Sequence, residues 1–236
     1  MKSNRSTSES SATYLRILGA ATRLYRLIGH RKTSVADIAR ESSMSPANVY
    51  RFFSSKQAIN EAVAGRLFAE VIASAAEAYG MPGTTADRLR ATLAAIEKRH
   101  VDRFINEKKL YELLVMSLRE DWPVGRSFTE RVESIVAEII SDGMVRREFQ
   151  SADAIILGRC LLAAAAAFCD LRLISAGSFR RPTLEQMMDF AIEALRADGV
   201  AHFTGDQLHA SKEQVCGGSR DCILCKQRTM PGVKDG

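Results

Sequence analysis

Three helix-start signals fall within residues 34–57, and they leave the surrounding chain little freedom. Ser34 stands three residues before Asp37, Ser45 is followed at once by Pro46, and Ser54 stands three residues before Gln57. A Ser with an acid or amide three positions on satisfies a helix N-terminus from both sides. Proline costs nothing at the first helical position, where its missing N–H has no partner to lose. Starts spaced about ten residues apart leave room for only one or two turns in each of the first two helices. Ahead of them, Tyr14, Ile17, Leu18, Ala21, Leu24, Tyr25 and Ile28 recur at helical period from Thr13, and Gly29 supplies the stop. After them a long helix runs to about Tyr79. The pattern predicts three helices sharing a small core of Ile17, Leu18, Leu24, Val35, Ile38, Ala39, Val49, Phe52 and Phe53, with a turn at Ser42-Ser43-Met44.

Gly80, Pro82 and Gly83 then break the chain, and Thr84 with Asp87 restarts it. Leu89, Leu93, Ile96 and Phe104 mark one amphipathic helix. Leu110, Leu113, Leu114, Val115 and Leu118 mark a second, ending near Trp122-Pro123. Phe128, Val132, Ile135, Ile139 and Ile140 mark a third. Ser151 is read as the cap of an Ala-rich fourth. Thr183 with Gln186 opens a fifth, which carries Leu184, Met188, Ala191 and Leu195 and ends at Gly199. No strand-like alternation and no internal repeat is present, so the expected fold is all-α with about nine helices. Residues 1–10 and 199–236 have no apolar period and are expected as loose tails, leaving domains at 11–70 and 84–198.

Charge is distributed unevenly. The 236 residues carry 33 Lys+Arg and 28 Asp+Glu, a net of +5. Residues 1–56 hold ten Lys/Arg against three acids, so the whole excess lies in the first quarter of the chain. Lys and Arg that neutralise phosphates release condensed counterions, which makes a polyanion the first partner to consider. Helix, turn and short helix inside such a segment is a DNA-binding arrangement. The second short helix can lie in a major groove roughly 12 Å wide, its N-terminus toward the phosphates.

Arg16–Gly29 (RILGAATRLYRLIG), Thr33–Glu41 (TSVADIARE) and Ser45–Ile59 (SPANVYRFFSSKQAI) resemble the N-terminal domain of the TetR family of transcriptional regulators. The resemblance covers about residues 11–70; beyond them it is one of architecture alone. It implies a homodimer whose two heads read a palindromic double-stranded DNA operator. Thr33 and Ser34 would meet backbone phosphate from the first short helix, and Ser45 from the second. Pro46, Ala47 and Asn48 would face the base edges. An amide such as that of Asn48 pairs bidentately with adenine, and the Ala47 methyl fits a thymine methyl. Tyr50, Arg51 and Lys56 would hold further phosphates. Ser43 stands where the family usually has Gly, so an altered turn is expected there.

By the same resemblance, residues 84–198 form an α-helical ligand-binding and dimerisation domain, and the regulator is a repressor released by a small-molecule effector. Phe104, Tyr111, Met116, Trp122, Phe128 and Phe168 are candidates for the pocket wall. Ala163–Ala167 and the Leu184, Met188, Ala191, Leu195 stripe are candidates for the subunit seam. Cys216, Cys222 and Cys225 form C-x5-C-x2-C, a weak metal or thiol signal that supports an alternative metal- or thiol-responsive regulator. No other metal site and no cofactor is implied. His30 and His100 read as ordinary turn and helix-face residues. An enzyme is a poor reading, since no GxSxG, P-loop, GxGxxG or HExxH occurs. The longest apolar stretch, Ala154–Cys169, falls short of the roughly 20 residues of a spanning helix. No membrane is expected, and an odd set of five cysteines fits the reducing cytoplasm.

Overall fold

Eleven helices and no strand occur among the described residues of the computed structural model, which are 3–174 and 182–196. They are α1 (Ser3–Ile28), α2 (Val35–Glu41), α3 (Pro46–Tyr50), α4 (Lys56–Tyr79), α5 (Thr85–Asn106) and α6 (Lys108–Arg119). There follow α7 (Pro123–Val145), α8 (Ala154–Ala164), α9 (Ala166–Cys169), α10 (Leu171–Ile174) and α11 (Leu184–Arg196). None of them is long and apolar enough to cross a membrane.

The head is α1–α3 with the start of α4. Ile17, Leu18, Tyr25, Val35, Ile38, Val49, Phe53 and Ile59 are buried in it, and Leu24 and Phe52 are half-buried against them. Helices of seven and five residues are too short to stand alone, so this shared core and their caps hold them. Inside the core the Tyr25 hydroxyl donates to Asn60 Oδ1 at 2.6 Å, tying α1 to α4. Burial pushes that phenol well above its ordinary pKa.

The body is built on α4, α5 and α7, which pack against one another, with α8 on α7 and α11 on α5. Leu89, Leu93, Ile96, Leu113, Leu114, Val136, Ile139 and Ile140 fill it. Arg103 is only 5% exposed and reaches Glu70 of α4 at 2.8 Å and Glu107 at 3.3 Å, so a buried charge is paired on two sides. Head and body meet where α1 lies along α6. Arg26 pairs with Glu107 at 2.8 Å, and Lys109 Nζ donates to the Leu27 carbonyl.

Several boundaries differ from the sequence reading. α1 reaches back to Ser3, where a loose tail was expected for 1–10. No Pro or Gly between Ser3 and Thr13 stops a helix from propagating backward once formed. α4 is capped by Ser55 rather than Ser54. The Ser55 side chain accepts from Ala58 N, while Gln57 is engaged along the helix with Glu61 and Asn60 and does not reach back. α8 is capped by Asp153 rather than Ser151, a carboxylate that accepts from both Ile155 N and Ile156 N and suits the positive end of the helix better than a hydroxyl. The Ala-rich helix breaks at Ala165, and two four-residue turns follow. The break lets Phe168, Leu171 and Ile174 all turn inward.

The Leu184, Met188, Ala191, Leu195 stripe faces this chain's own core rather than a second subunit. Leu184, Met188 and Leu195 are buried within the chain, and the exposed apolar residue of α11 is Phe190. The expected stop at Gly199 and the cysteines Cys216, Cys222 and Cys225 lie outside the described residues. Among those described, no group of three or more His, Cys, Asp or Glu is placed to hold a metal ion.

Candidate nucleic-acid interface

Ser34 and Ser45 fix the two short helices. The Ser34 hydroxyl accepts from Asp37 N at 3.1 Å and Asp37 accepts from Ser34 N at 3.0 Å, a complete capping box. The Ser34 hydrogen bonds hold the Asp37 carboxyl below its ordinary pKa. Ser45 accepts from Asn48 N at 3.2 Å, and Pro46 opens α3. Between them the chain turns through a closed helix end. Met44 N donates to Ala39 O at 2.8 Å and Ser43 N to Arg40 O at 3.1 Å, with Ser43 left-handed at φ 55. These are the two bonds of the Schellman motif, with Ser where Gly is commonest.

Val49 is buried, while Pro46, Ala47, Tyr50 and Arg51 are exposed and Asn48 is half-buried. α3 is therefore anchored by one residue and presents the rest outward. The backbone N–H of Asn48 is used by the cap, and its side-chain amide makes no hydrogen bond among the described residues. Tyr50 is 52% exposed. Lys56, at the head of α4, is half-buried and donates to the Arg31 carbonyl at 3.5 Å, which aims its ammonium along the same edge.

Thr33 does not join this surface. It is buried, and its hydroxyl donates to the Gly29 carbonyl at 2.9 Å. The resemblance implied a phosphate contact for Thr33; its side chain instead locks the turn between α1 and α2.

Ion pairing further sorts the basic residues. Arg23 pairs with Glu41, Arg26 with Glu107 and Arg40 with Asp37. Among the described residues Arg16, Arg31, Lys32, Arg51 and Lys56 make no such pair, and all but Arg16 stand at the starts of α2 and α4 and the end of α3. Lys32 was not singled out from the sequence. It had only its charge as a signal, and charge alone does not tell a paired residue from an unpaired one.

The six pocket candidates separate. Phe128 alone lines a cavity of about 320 Å³ in the body, with Ile96, Leu118, Val132, Leu162 and Leu171. Asp170 and Arg172 close its edge as an ion pair at 2.6 Å. Phe128 stacks on Phe68 at 4.2 Å and meets the edge of His100 at 6.0 Å. Phe104 packs edge-on against Tyr111. Tyr111 and Met116 line a different recess beside the head. Trp122 donates to Glu120 at the start of α7, and Phe168 is buried in the core.

A basic helix-turn-helix head on a larger all-α body with a cavity of its own defines a DNA-binding transcriptional regulator. Residues 17–63 match the family model described as bacterial regulatory proteins, tetR family, and residues 85–189 match the tetracyclin repressor-like C-terminal domain. The chain belongs to the TetR family. Similar solved structures include a TetR/AcrR-family regulator from Thermobifida fusca, with 18% identity over 80% of this chain and 98% of that one and a TM-score of 0.56. The fatty acid degradation regulator FadR from Bacillus halodurans has 14% identity over 80% and 96%, with a TM-score of 0.56. FadR from Bacillus subtilis, solved in complex with stearoyl-CoA, has 15% identity over 78% and 98%, with a TM-score of 0.55. At such identities the likeness concerns the fold. No curated protein matches the chain.

Proposed function

We propose that the protein is a homodimeric repressor that reads a palindromic operator with α3 in the major groove. One observation carries this reading: α3 is anchored by the buried Val49, capped by Ser45, and holds a half-buried Asn48 whose amide has no hydrogen-bond partner among the described residues, next to the exposed Tyr50 and Arg51. In this arrangement Asn48 and Ala47 face base edges beside Pro46. Ser34, Ser45, Tyr50, Arg51 and Lys56 contact phosphates, joined by Lys32. Thr33 acts from within, by shaping the turn that places them. The head occupies about residues 11–70 and the regulatory body 84–198, and the protein works in the cytoplasm without catalysing a reaction.

The body supplies the other two parts. Val145 is 80% exposed, Ile155 57% and Phe190 76%, on α7, α8 and α11 respectively. Single apolar side chains are common on surfaces, but Val145 and Ile155 line one recess between α7 and α8, which supports a subunit interface on that side of the body. The cavity behind Phe128 supports a small, mainly apolar effector. Such a molecule releases DNA if it favours the state whose heads are wrongly spaced, by its differential affinity for the two states. A bound acyl-CoA, as in the B. subtilis neighbour, is one ligand class to try.

Selection from random-sequence duplexes followed by footprinting tests the reading. A two-fold symmetric site with half-sites about one helical turn apart, or a multiple of it, is expected. Recovery of no sequence above background overturns it.

A further inference from the structure

The recess beside the head is distinct from the cavity behind Phe128. It has a volume of about 380 Å³ and joins the α1–α2 turn to α6. His30 lines it from the turn. The residue is 5% exposed, its ring meets Tyr25 edge-on at 6.2 Å, and its Nε2 has no hydrogen-bond partner among the described residues. Other buried polar atoms of the described residues also lack a partner, among them both ring nitrogens of His100, but His30 lines a recess, where a molecule from outside the chain can supply the bond. Burial, then the nearby cations Arg31 and Lys56, lower the pKa of the imidazole against the opposing pull of Glu112 and Glu120, which favours the neutral ring, whose nitrogens give one hydrogen bond and take one.

The charges around it are of both signs and remain apart. Arg31 comes from the head side, where its Nη2 donates weakly to Met116 Sδ at 3.7 Å across the recess, and Arg119 stands on α6; neither pairs with a carboxylate among the described residues. Glu112 and Glu120 share the same wall. Glu120 accepts from Trp122 Nε1 at 3.1 Å, while Glu112 makes no ion pair among the described residues. Opposite charges that face one small cavity without closing on each other are arranged for a ligand that also carries both. Val115 and Met116 add an apolar patch.

We propose that this recess binds a small zwitterion of the α-amino-acid class. Its carboxylate lies against Arg31 and Arg119, its ammonium against Glu112 and Glu120, and its apolar side chain along Val115 and Met116, with His30 Nε2 taking one hydrogen bond. The site spans two parts that must keep their spacing for DNA binding. Lys56 bonds the Arg31 carbonyl and Thr33 bonds the Gly29 carbonyl, so the turn that holds the ligand also sets the starts of α2 and α4. Occupancy therefore fixes the head on the body, independently of any effector behind Phe128.

The test is a thermal-shift and calorimetric screen of the full chain against each of the twenty L-α-amino acids at about 10 mM, enough to reveal a millimolar site. At least one apolar amino acid is expected to raise Tm by a few degrees. Its deaminated acid and its decarboxylated amine should each bind at least tenfold more weakly. Arg119→Gln and Glu112→Gln, both surface changes, should cut its affinity at least tenfold while leaving the ligand-free Tm within about a degree. No shift with any amino acid overturns the proposal. So does a shift that survives both substitutions, or one that the acid alone reproduces.

Discussion

Head and body are both made of helix, yet they use it in opposite ways. In the head the two helices that carry the candidate interface, α2 and α3, are short and their ends carry the information: Ser34 and Ser45 fix the starts, Ser43 fixes the turn, and one buried residue, Val49, leaves the rest of α3 outside. In the body the helices run to 24 residues in α4 and 23 in α7, and the space between them is what they offer. The head's working parts are single side chains at defined offsets from a cap. The body's working parts are gaps, made jointly by residues far apart in sequence. A change of one methyl should therefore be felt most in the body, and a change of one polar group most in the head.

The largest expected effect is at Gly143. A Cβ there would collide with the Phe149 ring, whose Cε2 would lie 2.8 Å away, and with Thr85 Cγ2 at 2.9 Å. Gly143→Ala should cost about 2–3 kcal/mol in chemical denaturation, the upper range for overpacking a tight core. A change under about 0.5 kcal/mol would show that the body yields where close packing says it should not.

Of similar size is the pH response of His100, which is fully buried on α5. Burial, assisted by the charge of Arg103, lowers its pKa to about 4 from an ordinary 6.5. The unfolded chain takes up the proton first, so stability is complete above pH 6.5 and falls as the pH drops toward 4. The limit of the loss is about 3 kcal/mol at 1.36 kcal/mol per pKa unit. Urea melts across that range should show the decline, and His100→Leu should flatten most of it. An unchanged slope in the variant would place the titrating group elsewhere.

In the head the comparison turns on specificity. Asn48→Ala should leave Tm unchanged, since the amide makes no hydrogen bond among the described residues. It should relax base preference at one operator position by roughly 1–3 kcal/mol. Uniform weakening on all sequences would deny Asn48 a reading role. The smallest effect is expected at Ser43, whose φ of 55 is costly for a residue with a Cβ. Ser43→Gly should stabilise by up to about 1 kcal/mol. A loss would mean that the serine hydroxyl matters more than its backbone.

The same contrast decides what the sequence disclosed. The Ser34–Asp37, Thr84–Asp87 and Thr183–Gln186 boxes are local, and each forms as its spacing predicts. Ser54 and Ser151 failed because a neighbour, Ser55 or Asp153, made the better bond, a choice of one or two residues that spacing does not resolve. Thr33 looked like a surface residue from its motif and turned inward on Gly29. Of six aromatic and Met candidates for the cavity, Phe128 alone lines it, because a hydrophobic side chain reads the same in a wall as in a core. Leu184, Met188 and Leu195 had the period of an interface and the burial of a core, and period carries no information about which chain does the covering.

The central claim is that the exposed face of α3 reads sequence while the unpaired cations around it hold phosphate. A salt titration of binding to the selected operator and to random duplex, on the parent chain and on Asn48→Ala and Arg51→Ala, tests it most directly. The account predicts operator binding tighter than random by about 10³ or more. Arg51→Ala should weaken both and shallow both salt slopes by about one, while Asn48→Ala should erode only the difference between them. Equal binding of operator and random duplex by the parent, or an Arg51→Ala slope identical to the parent's, would contradict it.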